Sequence, residues 1–192
     1  MKKTVLYAFV LGALMLNACD QVQQQSEKDT AISSVGSSEA KTKNPEEFVR
    51  EAYRNNLREI EIGRLGQKNA QSAEVKAFAD MLVEHHSRAN EELLEIASSL
   101  SIDKPKEDEH KVPDLAALEN RKAGEKFDKK FLKMAGKRHK KDLDLYESAA
   151  KDLDQEELKN YARNNVPVIQ EHLDQAETLE ASVKSGSEDS GM

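Results

Sequence analysis

"SAEVKAFADMLVEHHSRANEELLEIASSL", Ser72 to Leu100, carries Val75, Ala79, Leu82, His86, Ala89, Leu93, Ala97 and Leu100 at steps of three and four. That spacing returns to one face of a 3.6-residue helix for the whole length of the segment. Ser72 is a plausible N-cap, and Glu74 places an acid in the first turn, where the helix dipole favours it. One apolar stripe cannot be stable alone; it has to pack against other helices. The stripe is interrupted by a single polar position, His86, with His85 about 100° away on the flank.

The same pattern recurs on both sides. Asn44-Pro45-Glu46-Glu47 reads as a helix start, with Asn as cap, Pro in the first turn and acids after it. The stripe that follows is Phe48, Ala52, Asn55, Glu59, Ile62 and Gly66, with Glu61 as a rival of Glu59 for the inward position. After Gly124 a third long helix carries Phe127, Phe131, Ala135, His139, Asp142, Tyr146 and Ala150. Asp154 to Glu157 resembles a capping box and opens a fourth. Its stripe is Leu158, Ala162, Asn165, Ile169, His172, Ala176 and Leu179, with Pro167 inside it as an expected kink. Between helices two and three, residues 101 to 121 hold two prolines and many charges, and "DLAALENR" (114–121) reads as a short helix. No strand-type alternation of useful length appears. The expected fold is all-α: a ferritin-like four-helix bundle over 45–182, with a long connection between helices two and three.

The ends read differently. Lys2 and Lys3 precede an apolar run from Val5 to Leu16, too short to span a bilayer comfortably and suited to a signal peptide. The run ends in Leu16-Asn17-Ala18-Cys19, which resembles a lipobox, with Asn17 departing from the commonest pattern. Cys19 is the only cysteine, so a disulfide scaffold is excluded. The expectation is a signal peptide over 1–19, lipid attachment at Cys19, a Ser/Gln/Lys-rich tether over 20–44 and a polar tail over 183–192. A tether of that length reaches roughly 25–30 Å. Loss of residues 1–19 would lower the formal net charge from −7 to −9. An acidic exported chain of this kind is a poor nucleic-acid partner.

Depth brings the polar stripe positions together. Glu59 and His86 lie roughly 17 and 21 Å from the first turn at 1.5 Å per residue, and His139 and His172 lie at comparable distances from the turn near Asp152. Glu59, His86, His139 and His172, one per helix, would therefore meet in one layer of a bundle about 40 Å tall. Asn56, Asn90, Tyr146 and Asn165 are the expected supporting partners. Two readings stay open: a metal or small-ligand site, or a hydrogen-bonded polar layer that sets helix register. The imidazoles suit zinc, copper, nickel or iron. His110, with Glu107, sits in a proline-flanked charged loop and reads as chance.

The stretches "EIEIGRLGQKNAQSAEVKAFADMLVEHHSRANEELLEIA" (59–97), "GEKFDKKFLKMAGKRHKKDLDLYE" (124–147) and "VPVIQEHLDQAETLE" (166–180) together resemble the bacterial ferritin-like family called domain of unknown function 4142. Its recurring acid-His-Thr-Lys-Ala-Asn stretch falls on "HHSRAN" (85–90), its middle-helix histidine on His139, and its Pro-then-His on Pro167 and His172. Ser87 stands for the threonine and His85 for the acid. The resemblance, over about 45 to 181, implies the fold and an exported, periplasmic or outer-membrane location, and no particular activity. Asp20 after Cys19 points instead to inner-membrane retention. The ferritin-like likeness does not bring di-iron chemistry with it. That chemistry needs Glu-x-x-His, and Val83, Gly136 and Ile169 precede the three histidines by three. Neither a phosphate-binding Gly-rich loop nor a G-x-S-x-G elbow is present.

Lys126, Lys130, Lys133, Lys137 and Lys140, with Lys129 and Lys141 beside them, form a basic stripe on helix three. It is either a solvated face, paired in part with acids such as Glu91, Glu92 and Glu95, or a contact for anionic lipid headgroups. The leading expectation is an exported, lipid-anchored binding protein with a metal or small ligand at the Glu59/His86/His139/His172 layer. The alternative is an envelope interaction protein whose histidines are structural, and a metalloenzyme comes last.

Overall fold

A computed structural model describes residues 43–106 and 115–189, with side chains to residue 183. Cys19, the signal-peptide region, nearly all of the tether and His110 lie outside the described residues.

The described residues form helices and connecting loops: α1 (Pro45–Asn69), α2 (Ala73–Ser99), α3 (Leu115–Glu119), α4 (Glu125–Asp152) and α5 (Glu156–Asp189). The start signals act as expected at two ends. Asn44 Oδ1 accepts from the amides of Glu46 and Glu47, at 2.9 and 3.3 Å. Ser72 Oγ accepts from those of Glu74 and Val75, at 3.2 and 3.3 Å. At α5 the start shifts by one: the helix opens at Glu156, and the Gln155 carbonyl accepts from the Lys159 amide. Gly124 precedes α4 at φ 134°, a conformation open to glycine and costly for other residues. α5 runs through Pro167, which is exposed, so the loss of its N–H frees a carbonyl on the solvent side. The helix continues past the expected boundary at 182, because each added residue of an established helix gains a hydrogen bond.

Asp128 decides the chain path. It is buried in the first turn of α4, yet its carboxylate accepts from the amides of Gln71 and Ser72, both at 2.9 Å. The starts of α2 and α4 therefore lie at the same end of the bundle. α2 ends at the other end of the bundle, about 40 Å away, so the end of α2 and the start of α4 are joined across its full length. This is the long crossover expected of a ferritin-like fold. α1 packs mainly on α2 and α4 on α5; α1 also touches α4, and α2 touches α5. Neighbours are thus antiparallel, and α2 and α4 stand diagonally across the bundle. Leu118 of α3 is fully buried and covers the end of the core beside Phe127 and Phe78.

The apolar core is divided. One cluster, around Phe48, Leu93, Tyr146 and Leu158, fills one half of the bundle. A second, around Ile62, Phe78, Leu82 and Phe131, fills the other. The buried polar residues Asn56, Glu59, His86, Asn90, His139, Asp142 and His172 belong to neither cluster. Their burial is tolerable only where hydrogen bonds replace water.

Candidate metal centre

His86, His139 and His172 project from α2, α4 and α5 and are 4%, 0% and 1% exposed. One ring nitrogen of each lies within 4.8 Å of the other two. His86 Nε2 stands 3.2 Å from His139 Nε2, and His139 Nε2 stands 3.2 Å from His172 Nδ1.

His139 Nδ1 is 2.8 Å from the Ala135 carbonyl, which can only accept, so Nδ1 carries the proton and Nε2 a lone pair. The Asn56 amide donates through Nδ2 to Asn90 Oδ1 at 2.9 Å, which turns Asn56 Oδ1 toward His86 Nδ1 at 2.9 Å. His86 Nδ1 is therefore also the donor, and its Nε2 is bare. In neutral imidazoles, His86 Nε2 and His139 Nε2 are two acceptors facing each other at 3.2 Å, with no proton between them.

A proton shared between the two would resolve the conflict only by making an imidazolium. Burial, reinforced by His139, His172, His85 and Arg138, holds His86 well below the usual histidine pKa. Burial, with His139 and His85, pushes His172 down to about 3. His86 and His172 are thus neutral at pH 7, the form that offers lone pairs to a metal.

His85 supplies the remaining degree of freedom. It is half-buried, stacks on His172 at 5.2 Å between centroids and 21° between planes, and places Nδ1 2.9 Å from His172 Nε2. If His172 carries its proton on Nε2 and donates to His85, its Nδ1 lone pair joins those of His86 and His139. A nitrogen-to-metal distance of about 2.05 Å with nitrogens 3.2 Å apart gives an angle of about 100°, close to tetrahedral. A cleft of about 10 Å³, room for about one water, is lined by Asn56, His85, His86, Tyr146, Asn165 and His172 among others.

Glu59 faces the core and is 0% exposed, whereas its rival Glu61 is half-buried. The structure places Glu59 on the far side of His139, however. Its Oε2 is 3.9 Å from His139 Nδ1, and its Oε1 accepts from Arg138 Nε at 2.5 Å. Glu59 is not one of the converging set; it stands behind His139 as an orienting charge. Among the described residues Glu59 Oε2 has no hydrogen-bond partner.

The supporting residues divide. Asn56 and Asn90 hold His86 as described. Tyr146 lines the cleft, where its hydroxyl interacts with the Asn56 side chain and pairs with Tyr161 at 3.3 Å, and Tyr161 donates to the Ala89 carbonyl. Asn165 turns back to the Tyr161 carbonyl of its own helix at 2.9 Å. Sequence reasoning set His85 on the flank and passed over Arg138. The signal for Arg138 was present: a buried carboxylate on α1 needs a cation, and Arg138 is one step from the inward His139.

The basic stripe of α4 is largely exposed. Lys126, Lys130 and Lys133 line a shallow groove with Arg121 and Glu180, and Lys129 pairs with Glu125 at 2.5 Å. Acids on the outer face of α2 do not meet this stripe, because the two helices are diagonal. No described helix is long and apolar enough to cross a membrane.

A family model described as "Domain of unknown function (DUF4142)" matches residues 30–179 of the chain. No curated protein and no solved structure matches it significantly.

Proposed function

The chain belongs to the domain of unknown function 4142 family, and we propose that it binds one transition-metal ion at His86, His139 and His172. The observation that carries this reading is the 3.2 Å approach of His86 Nε2 to His139 Nε2 when both Nδ1 atoms are donors to fixed acceptors. A purely structural layer accounts for His85 donating to His172 and His172 to His139, but it leaves His86 Nε2 facing an acceptor. A cation on the three lone pairs satisfies all of them. Zinc, copper, nickel and iron are the candidates by ligand type. His139 is held for this role by the Ala135 carbonyl and the Glu59 charge, and His86 by Asn56, the usual way in which a metal-binding imidazole is oriented. The lipobox-like end at Cys19 supports a setting in the cell envelope, anchored by lipid on the periplasmic side.

The test is thermal unfolding of chelator-treated full-length protein at pH 7.5 with each metal. At about one hundred times its dissociation constant, a ligand specific to the folded state adds roughly 2.7 kcal/mol. That corresponds to a rise on the order of 5–10 °C. His86→Ala, His139→Ala and His172→Ala should each remove most of the rise, and His110→Ala should not. If none of the four metals raises the melting temperature, the histidines are a polar core layer only.

A further inference from the structure

The groove between α1 and α4, on the opposite side of Glu59 from the histidines, has a different chemistry. Asn55 and Arg58 of α1 face Lys137, Arg138, Lys141 and Asp142 of α4 across a cavity of about 150 Å³. The α4 residues fall at steps of three and four, so they form one edge rather than a chance gathering of lysines. Four cations line the space. The lining holds one carboxylate, Asp142, which accepts from the Asn55 amide at 2.7 Å; Asn55 Oδ1 in turn accepts from Arg58 Nη1 at 3.1 Å, and Arg138 pairs with Glu59 at 2.5 Å. Asp142 is 5% exposed, and burial together with the Glu59 charge pushes its pKa up to about 8. Burial and repulsion from Arg138 and Arg54 lower the Arg58 pKa, against the pull of Glu51 and Asp142.

We propose that this groove is an oxyanion site, built for a phosphate-type anion held by Arg58, Arg138 and Lys141. A bound anion would relieve the Arg58–Arg138 repulsion. Two guanidinium forks on opposite helices suit the several oxygens of one tetrahedral anion better than exposed lysines do. The cavity is about fifteen times the size of the histidine cleft and has room for one such group with part of its hydration. The site is independent of the metal reading and can be tested on metal-free protein. The same chemistry has two sources, a free phosphate or a lipid headgroup.

Inorganic phosphate is titrated into full-length, chelator-treated protein by calorimetry at constant ionic strength, and binding to phosphatidylglycerol vesicles is measured against phosphatidylcholine vesicles. Saturable phosphate binding is expected. It should weaken at least about tenfold in Arg58→Gln/Lys141→Gln, since two charge-assisted contacts are lost. Lys126→Gln/Lys130→Gln, outside the groove, should leave it unchanged. Vesicle binding that is specific to phosphatidylglycerol, lost in the first double variant and displaced by phosphate would assign the source to lipid. In the wild-type protein phosphate should also protect Arg58 from phenylglyoxal, a readout that requires no variant to fold. The proposal is overturned by no saturable binding in either arm, by equal losses in both double variants, or by no protection of Arg58.

Discussion

Replacing Arg138 by glutamine should be among the more damaging single changes in the bundle, although the residue sits in a lysine-rich surface stripe. Its guanidinium side chain is 21% exposed, while the carboxylate it pairs with, Glu59, is 0% exposed. The contact is 2.5 Å, and the other Glu59 oxygen has no hydrogen-bond partner among the described residues. Loss of Arg138 therefore leaves a carboxylate with no cation in hydrogen-bonding contact, surrounded by protein. Breaking a buried pair from one side costs about 3–5 kcal/mol. At a few degrees per kcal/mol for a domain of this size, that is a fall on the order of 10–15 °C in melting temperature. The assay is urea unfolding at pH 7 of wild type, Arg138→Gln, Glu59→Gln and the double variant. Glu59→Gln in the Arg138→Gln background removes the stranded charge and should restore at least about 2 kcal/mol, a coupling well above the additivity error of distant sites. A cost below about 1 kcal/mol for Arg138→Gln, or no recovery in the double variant, would refute the argument that the pair is buried charge compensation.

Other outcomes are fixed by the same geometry. Gly66→Ala would place a Cβ 2.6 Å from Ala79 Cβ and 2.8 Å from the Phe131 ring, so α1 must move off α2 and α4; a loss of about 1–3 kcal/mol by chemical denaturation is expected. Metal-free protein should lose stability as pH falls below about 6.5. His172 has a folded pKa of about 3 and His86 one well below its ordinary value, so the unfolded state takes up protons first. Asp142, raised to about 8, acts in the opposite sense from about pH 4 to 8 and offsets one of the two histidines. Unfolding free energies measured from pH 7 to 4 should decline, and a flat or rising profile would show that these rings are not buried neutral. Cys19→Ser should abolish incorporation of a labelled fatty acid and partition into detergent; label retained on the variant would exclude lipid attachment at that residue.

Four helices, their order and the long second connection were legible in the chain, because a helix that buries one face repeats its apolar residues at a period backbone geometry imposes. Phe48, Leu82, Phe131 and Leu158 were all placed inward on that ground, and all four are 0% exposed. The inward direction and common depth of His86, His139 and His172 were legible for the same reason, since rise per residue converts chain position into height. The period carries an angular uncertainty of about one residue, and there the chain was silent. The first helix was expected to turn Asn55 inward; the structure buries Asn56, which holds His86, and turns Asn55 to Asp142. Nothing in one helix says which ring nitrogen meets which neighbour. The bare Nε2 of His86, the reach of His85 across to α5 and the position of Glu59 behind His139 depend on rotamers chosen by residues on three other helices. Periodicity assigns a side chain to a face, and only the packing of the faces assigns an atom to its partner.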